Sequence, residues 1–396
     1  MGLYRRTLAL PGVRTLMLLI FFARVPAAAG GMVLTLHVAV GLGRGYGAAG
    51  TAGATVTIGA ALGVAVMGRL IDRVGLRLVL VITVTGEALF WVLGSQLPYQ
   101  ALMIVGFAGG FLMLPAMPLG RQAIAALTPP ELRRTAYSMD SVSTELSYMV
   151  GPATAVLIAT QFSTVTAMYV VAGAIVATGT LLLVTNPAVR SEEERAADTG
   201  ERVPRRAWLG PRMVAVLVIA AGAVFILAGT EVAIVAELRS TDQLAYTGLV
   251  VGVWSAVSAV GGIVYGALSR SPGQVTLMAS LALLTVPIGA VSGEWWVLAL
   301  SLIPASALCA PTIAATGEEV SHLAPPSSRG EAMGLQSSAF TIGAAFGAPV
   351  VGFVVDHSSP AWGFAVAGLG GVAVAGVAAL LIARQRRVAP LTVPVP

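Results

Sequence analysis

Hydrophobic residues form long stretches along most of the chain, and short polar segments separate them. A helix rises 1.5 Å per residue, so about 20 apolar residues cross the roughly 30 Å hydrocarbon core of a bilayer. Twelve such stretches can be placed, at residues 13–40, 46–68, 76–96, 99–125, 135–160, 163–185, 212–237, 244–268, 274–292, 295–317, 330–354 and 361–383. The pattern predicts an all-α membrane protein with twelve transmembrane helices in two pseudo-symmetric six-helix halves.

One long polar stretch interrupts this pattern between the sixth and seventh spans. Residues 187–211 contain ten charged side chains, a density that forbids burial in lipid. We therefore predict an N-terminal half at 1–186, a cytoplasmic linker at 187–211 and a C-terminal half at 212–396.

Composition limits the function classes. The chain is 57% hydrophobic and 10% charged, so lipid must cover much of its surface. It contains no lysine, which excludes a Walker-type ATP site. The single Cys309 and three scattered histidines indicate neither a disulfide nor a metal site. We expect no cofactor, ATP or nucleic acid, and lipid around the chain.

The arginines give the predicted orientation. With the N-terminus in the cytoplasm, nearly all loop arginines fall on the cytoplasmic side, and only Arg44 and Arg239 fall in outer loops. This asymmetry is what the positive-inside rule requires. We predict a multi-pass protein of the plasma membrane with both termini in the cytoplasm.

An internal repeat supports the division into halves. Residues 127–151 align without gaps to residues 323–347, at a constant offset of 196 residues. Pro129, Pro130 and Arg133 meet Pro325, Pro326 and Arg329 in this alignment. Repeats of this kind are frequent in secondary transporters, whose sites form where the repeats meet.

The loop between spans two and three carries the most specific motif. Residues 68–77 read GRLIDRVGLR, in which two glycines permit a tight turn and Asp72 can cap a helix or pair with an arginine. This segment resembles the signature loop of the major facilitator superfamily. The resemblance implies a cytoplasmic gate formed by Gly68, Asp72, Arg73, Gly75 and Arg77. For Arg69 and Arg77 themselves, topology alone is the simpler explanation.

The second half carries a degenerate copy of this loop, with Arg270 in the place of Asp72. In span five, Gly151 and Pro152 resemble a shortened form of the antiporter motif of the same family. They are hinge candidates, and they favour export over import.

Ionisable residues inside spans are candidates for function because their burial is expensive. The family architecture implies that Arg24, Arg121, Asp140, Glu145 and Glu231 lie on spans around a central cavity. Glu87 lies on a peripheral span, which favours a structural role.

Pairing among these charges is open at this point. Arg121 and Glu145, on consecutive helices, could form a buried switch or a simple clamp, and Arg24 could hold a carboxylate or an anionic substrate group. Three acids face two arginines, so at least one acid lacks a basic partner. Glu145 and Glu231 are our candidates for proton carriers.

The resemblance thus predicts a secondary active transporter that works by alternating access, like drug and metabolite efflux members of the family. We expect proton-coupled export of a small amphipathic drug or metabolite. The expected partners are this small-molecule substrate, protons and the lipid bilayer, and we expect a monomer. A proton-coupled importer with the same fold is the alternative, and a membrane-embedded enzyme or a receptor has less support in the sequence.

Overall fold

The computed structural model describes residues 2–190, 203–243, 246–268, 272–290 and 293–388, and these ranges contain helices and no strand. The first eight helices are α1 (Gly2–Ala9), α2 (Val13–Leu36), α3 (Gly45–Val74), α4 (Leu76–Gly94), α5 (Tyr99–Phe111), α6 (Ala116–Leu127), α7 (Pro130–Gln161) and α8 (Thr164–Thr185). A π-helical turn, His37–Gly41, extends α2.

Seven more helices follow: α9 (Arg205–Trp208), α10 (Pro211–Ser240), α11 (Thr247–Ala267), α12 (Gln274–Thr285), α13 (Trp295–Leu323), α14 (Arg329–His357) and α15 (Pro360–Val388). A 3-10 segment, Val286–Ala290, continues α12, and another, Pro326–Ser328, leads into α14.

The predicted membrane fold is confirmed. Within the described ranges, eleven helical segments are long and apolar enough to cross a bilayer. The shorter apolar segment Gln274–Ala290 occupies the place of the ninth span. Pro287 lies in its 3-10 part, two residues after the end of α12. The α-helix ends here because proline cannot continue the α-helical hydrogen-bond ladder.

The chain divides into two compact units. The first comprises Met1–Glu201 with Pro326–Ser338, and the second comprises Arg202–Pro325 with Ala339–Pro396. The first unit therefore includes the beginning of α14. Of the linker predicted at 187–211, residues 191–202 lie outside the described residues, as does Arg270.

Each unit has its own apolar core. In the first unit, Val33, Phe90, Trp91, Leu102 and Met168 belong to one buried cluster. In the second, the buried cluster includes Ile219, Ile226, Met278, Leu302 and Phe364. Apolar side chains fill both cores. Many other large apolar side chains on the helices are exposed, as expected for surfaces that face lipid.

Span four is broken into two helices, α5 and α6, by the non-helical residues 112–115. Pro115 has no N–H, and its ring disfavours helical geometry at Leu114. Pro118 falls in the first turn of α6, where proline is tolerated. By contrast, Pro26, Pro152, Pro304, Pro311 and Pro349 lie inside continuous helices.

Glycines bring α3 against α5 in the first unit. A Cβ atom on Gly63 would overlap the carbonyl group of Phe111, whereas a Cβ on Gly53 of the same helix would meet nothing within 4 Å. We expect Gly63→Ala to lower the thermal unfolding temperature of the detergent-purified protein, because overpacking costs about 1–3 kcal/mol. Gly53→Ala is the matched control and should unfold like the wild type. Equal unfolding temperatures for the two variants would contradict the close contact.

Candidate functional site

Two arginines and one aspartate from three helices meet inside the first unit. Nη2 of Arg24 on α2 lies 2.7 Å from Oδ1 of Asp140 on α7. Nε of Arg121 on α6 lies 3.3 Å from Oδ2 of the same carboxylate. The side chains of Arg121 and Asp140 are 1% exposed, and that of Arg24 is 6% exposed. These residues, called the charge triad below, form a buried network in which one carboxylate bridges two guanidinium groups.

Neighbouring groups fix the charge triad in place. Nη1 of Arg24 donates to Oγ1 of Thr144 at 2.9 Å and to the carbonyl oxygen of Asp140 at 3.3 Å. The hydroxyl of Tyr137 donates to the carbonyl oxygen of Arg121 at 3.1 Å. A Cβ on Gly120 would lie 3.2 Å from Nη2 of Arg24, so the glycine leaves room for this guanidinium group.

Arg121 forms an ion pair with Asp140. The pairing of Arg121 with Glu145 that the sequence suggested stays a prediction. The helices α6 and α7 form a hairpin with a turn at residues 128–129. Asp140 lies five residues closer to that turn than Glu145, or about 7.5 Å along the helix, and so nearer to the level of Arg121. Glu145 is half-buried on the same helix. Its predicted role as a proton carrier stays a prediction.

Glu231 lies in the second unit, on α10, and its side chain is exposed. It lines a cavity of about 690 Å³ whose wall also includes Val232, Val235 and Val355. Arg239 and Asp356 line the same cavity, so this acid is accessible in a space of mixed charge. Glu231 thus belongs to the second unit, whereas the charge triad belongs to the first.

The signature loop makes its contacts through Asp72, in the last turn of α3. Its Oδ2 accepts a hydrogen bond from the backbone N–H of Glu331 at 2.9 Å, and its Oδ1 accepts one from that of Gly330 at 3.2 Å. Both N–H groups belong to the first turn of α14, where the helix has no internal acceptors for them. Asp72 therefore caps α14, with a negative charge at the positive end of the helix dipole.

Two further side chains support this cap. Nε2 of Gln122 on α6 donates to Oδ1 of Asp72 at 3.0 Å. Nη2 of Arg69 lies 2.8 Å from Oε1 of Glu331. Arg69 thus has a specific partner, and topology alone does not account for it. We call Arg69, Asp72, Gln122, Gly330 and Glu331 the gate contact.

The other motif residues are placed differently. Arg73 and Arg77 are exposed. Gly75 connects α3 to α4 with φ of 88°, in the left-handed region that favours glycine. A Cβ on Gly68 would overlap the carbonyl oxygen of Gly330, so this glycine allows α3 and α14 to approach. No local pattern pointed to Gln122, because its partner Asp72 is distant along the chain.

The half-helix α6 joins the two clusters. Its consecutive residues Arg121 and Gln122 contact Asp140 of the charge triad and Asp72 of the gate contact, respectively. A displacement of α6 would therefore act on both clusters.

The hinge candidates lie within α7, which runs without interruption from Pro130 to Gln161. A Cβ on Gly151 would come within 2.8 Å of the Ala29 nitrogen and the Val25 carbonyl oxygen on α2. Gly151 therefore allows close backbone packing, and a hinge at Gly151 and Pro152 stays a prediction.

The position that matches Gln122 in the second repeat, at the offset of 196, is Glu318. Its Oε2 accepts a hydrogen bond from the hydroxyl of Tyr265 at 3.4 Å. The second unit thus uses different chemistry at this position, in keeping with its degenerate loop.

Comparison with known proteins identifies the family. The model of the Major Facilitator Superfamily matches residues 16–293 and 244–396. No curated protein matches the chain by sequence similarity. Three solved structures that it resembles are the human organic anion transporter MFSD10 (TETRAN), the proton:xylose symporter XylE and a bacterial homologue of the iron transporter ferroportin.

These likenesses are structural and show the fold. MFSD10 is 16% identical with a TM-score of 0.74, and the alignment covers 93% of this chain and 100% of MFSD10. XylE is 16% identical with a TM-score of 0.71 and 96% coverage of each chain. The ferroportin homologue is 15% identical with a TM-score of 0.72, covering 95% of this chain and 99% of its own. The protein belongs to the major facilitator superfamily of membrane transporters.

Proposed function

We propose that this protein is a secondary active transporter that exports a small amphipathic compound in exchange for protons. Its family is one of transporters rather than enzymes. The observation that carries the proposal is the buried charge triad, which links three membrane-spanning segments through one carboxylate.

Stability alone is a poor reason for such a network. Desolvation of buried charges offsets most of their attraction, and apolar side chains of similar size often stabilise a protein as well. Ionisable groups inside a membrane commonly mark substrate and proton pathways. When a bridging carboxylate exchanges its partners, the contacts between the spans change. Binding of a proton or a substrate near this carboxylate can therefore shift the spans.

The gate contact supplies the second part of the mechanism. We propose that Asp72 caps α14 in one state of the transport cycle and releases it in the other, when the cytoplasmic side opens. Capping a helix end by a side chain contributes about 0.5–2 kcal/mol, an amount that a transport cycle can reverse. In this mechanism the halves predicted at 1–186 and 212–396 move relative to each other. The protein lies in the plasma membrane, with the linker and both termini in the cytoplasm.

Proton coupling is assigned to Glu145 and Glu231. Glu145 is half-buried on the helix that carries Asp140, and Glu231 lines a cavity in the second unit. An acid that faces water in both states can take up a proton on one side and release it on the other. MFSD10 is named an organic anion transporter and XylE a proton:xylose symporter. The test therefore varies the charge of the transported compound and measures the direction of its movement relative to the protons.

The test uses purified protein in proteoliposomes that contain the pH indicator pyranine. An inward or outward pH gradient is imposed, and ethidium, carboxyfluorescein and uncharged amphipathic dyes are added in turn. Proton movement opposite to dye movement is the expected result. Movement of both in the same direction would support an importer, and the absence of dye flux under every gradient would refute transport of this class.

We expect Glu145→Gln and Glu231→Gln each to abolish the dependence of dye flux on the pH gradient, because glutamine cannot carry a proton. Glu131→Gln is the matched control, since Glu131 is exposed in the first turn of α7. Undiminished proton-driven flux in both variants would show that neither acid is a carrier.

A further inference from the structure

The break in span four is buried, which makes its backbone groups hard to satisfy. Leu114 and Ala116, on either side of Pro115, are 7% and 5% exposed. Inside a membrane, every freed N–H needs a partner within the protein, because neither lipid nor excluded water provides one. A stable break therefore needs dedicated acceptors.

One of these acceptors is a side chain from another span. Oε2 of Glu87 on α4 accepts a hydrogen bond from the backbone N–H of Leu114 at 2.7 Å. The N–H of Ala116 bonds to the Leu114 carbonyl oxygen, also at 2.7 Å, and Pro115 has no N–H. The N–H groups of Leu112 and Met113 bond to carbonyl oxygens of α5. Among residues 112–115, Leu114 is thus the residue whose N–H is bound by another span, through Glu87.

The surroundings of Glu87 fix its position. Glu87 is 1% exposed. Beside it, a Cβ on Gly86 would come within 2.6 Å of the Leu112 side chain, so α4 packs tightly against the broken segment. Glu87 lies on α4, outside the charge triad and the gate contact, and its carboxylate bonds to the backbone of the broken segment.

Glu87 binds the backbone two residues before α6 begins at Ala116. Arg121 lies five residues after Ala116, and Gln122 follows it. We propose that Glu87 is a positioning residue, which anchors the broken span four and so holds Arg121 against Asp140 and Gln122 against Asp72. The importance of this role for transport rests on the proposed function, whereas the positioning itself does not. A role confined to general packing would leave the coupling between Arg121 and Asp140 unchanged.

The first experiment measures amide hydrogen exchange in peptides that cover residues 112–118 of the purified protein. Glu87→Gln keeps an acceptor oxygen and should exchange like the wild type. Glu87→Met has a similar length but no such oxygen, and we expect exchange at Leu114 to rise about tenfold, the effect of losing one buried hydrogen bond. Glu87→Asp, which retracts the carboxylate by one methylene, should also raise exchange and replaces Glu87→Met if that variant does not fold.

The matched control is Thr83→Val, one turn earlier on α4. Thr83 is fully buried, and its hydroxyl donates to the Val79 carbonyl oxygen of the same helix. Its removal should leave exchange at residues 112–118 unchanged. Equal exchange in Glu87→Met, Glu87→Asp and the wild type would overturn the proposal.

The second experiment tests positioning directly by a double-mutant cycle. The non-additive part of the unfolding-temperature shifts in Arg121→Met, Asp140→Asn and the double variant reports the coupling of that pair. We expect this coupling to persist in the Glu87→Gln background and to fall in the Glu87→Met or Glu87→Asp background. Coupling that is the same in all backgrounds would refute the positioning role.

The two proposals fail separately. Both experiments on Glu87 need no transported compound, so they give a result even if no dye moves in proteoliposomes. Loss of coupling in Glu87→Met together with no dye flux in the wild-type protein would leave the positioning role intact and refute the proposed transport function.

Discussion

Asp140→Asn is expected to abolish coupled transport and to lower the unfolding temperature sharply. The substitution neutralises the one carboxylate that bridges Arg24 and Arg121, and both guanidinium groups are buried. Removal of one partner from a buried ion pair leaves uncompensated charge and costs about 3–5 kcal/mol. The measurements are thermal unfolding in detergent and pyranine-reported proton flux in proteoliposomes.

Two controls separate this effect from a general sensitivity of α7. Glu131→Gln changes an exposed acid of the same helix and should leave stability and flux near the wild type. Adding Arg24→Gln to Asp140→Asn removes one of the two buried guanidinium charges that lost this carboxylate and should recover part of the stability. If Asp140→Asn unfolds at the wild-type temperature, Asp140 does not stabilise the protein by bridging Arg24 and Arg121.

The second large effect is expected from Asp72→Ala. Asp72 accepts hydrogen bonds from two backbone N–H groups of α14 and from Gln122, and alanine offers no acceptor. Each buried donor left without a partner costs about 1–3 kcal/mol, so the gate contact should open in most molecules. We expect transport to fall at least about tenfold, since 1.4 kcal/mol corresponds to a factor of ten. Amide exchange at Gly330 and Glu331 should rise in the same variant.

Arg73→Ala is the matched control for Asp72→Ala, because Arg73 is the next residue but is exposed. It should change neither amide exchange at α14 nor transport by more than about twofold, as expected for an exposed charge. Asp72→Asn keeps one acceptor oxygen and should be intermediate. Unchanged exchange at Gly330 and Glu331 in Asp72→Ala would mean that the carboxylate does not cap α14.

The charged site shows how far sequence reasoning reaches. Arg24, Arg121 and Asp140 were predictable as candidates because an ionisable residue inside an apolar span is conspicuous. Their pairing was not predictable, because height along a helix and side-chain reach decide which acid meets which arginine. The sequence suggested Glu145 as a possible partner of Arg121, and it did not single out Asp140, which lies five residues nearer the turn and pairs with both Arg24 and Arg121.

The contacts of Asp72 show the same limit of sequence reasoning. The loop motif singled out Asp72, and the capacity of an aspartate to cap a helix is local chemistry. Its partners at Gly330 and Glu331 lie more than 250 residues away along the chain. Glu87 is a further case: its peripheral span favoured a structural role, and only the break in span four shows what it holds.

By itself, the sequence determined the class of the protein: the spans, the family loop and the charged residues within spans. These follow from local composition, since the length of an apolar run and the rise of a helix decide whether it crosses a bilayer. Only the tertiary structure decided which helix end Asp72 caps, which carboxylate joins Arg24 and Arg121, and where span four is interrupted. Those features depend on contacts between backbone groups and side chains from distant segments, in a medium where an unsatisfied backbone group is costly.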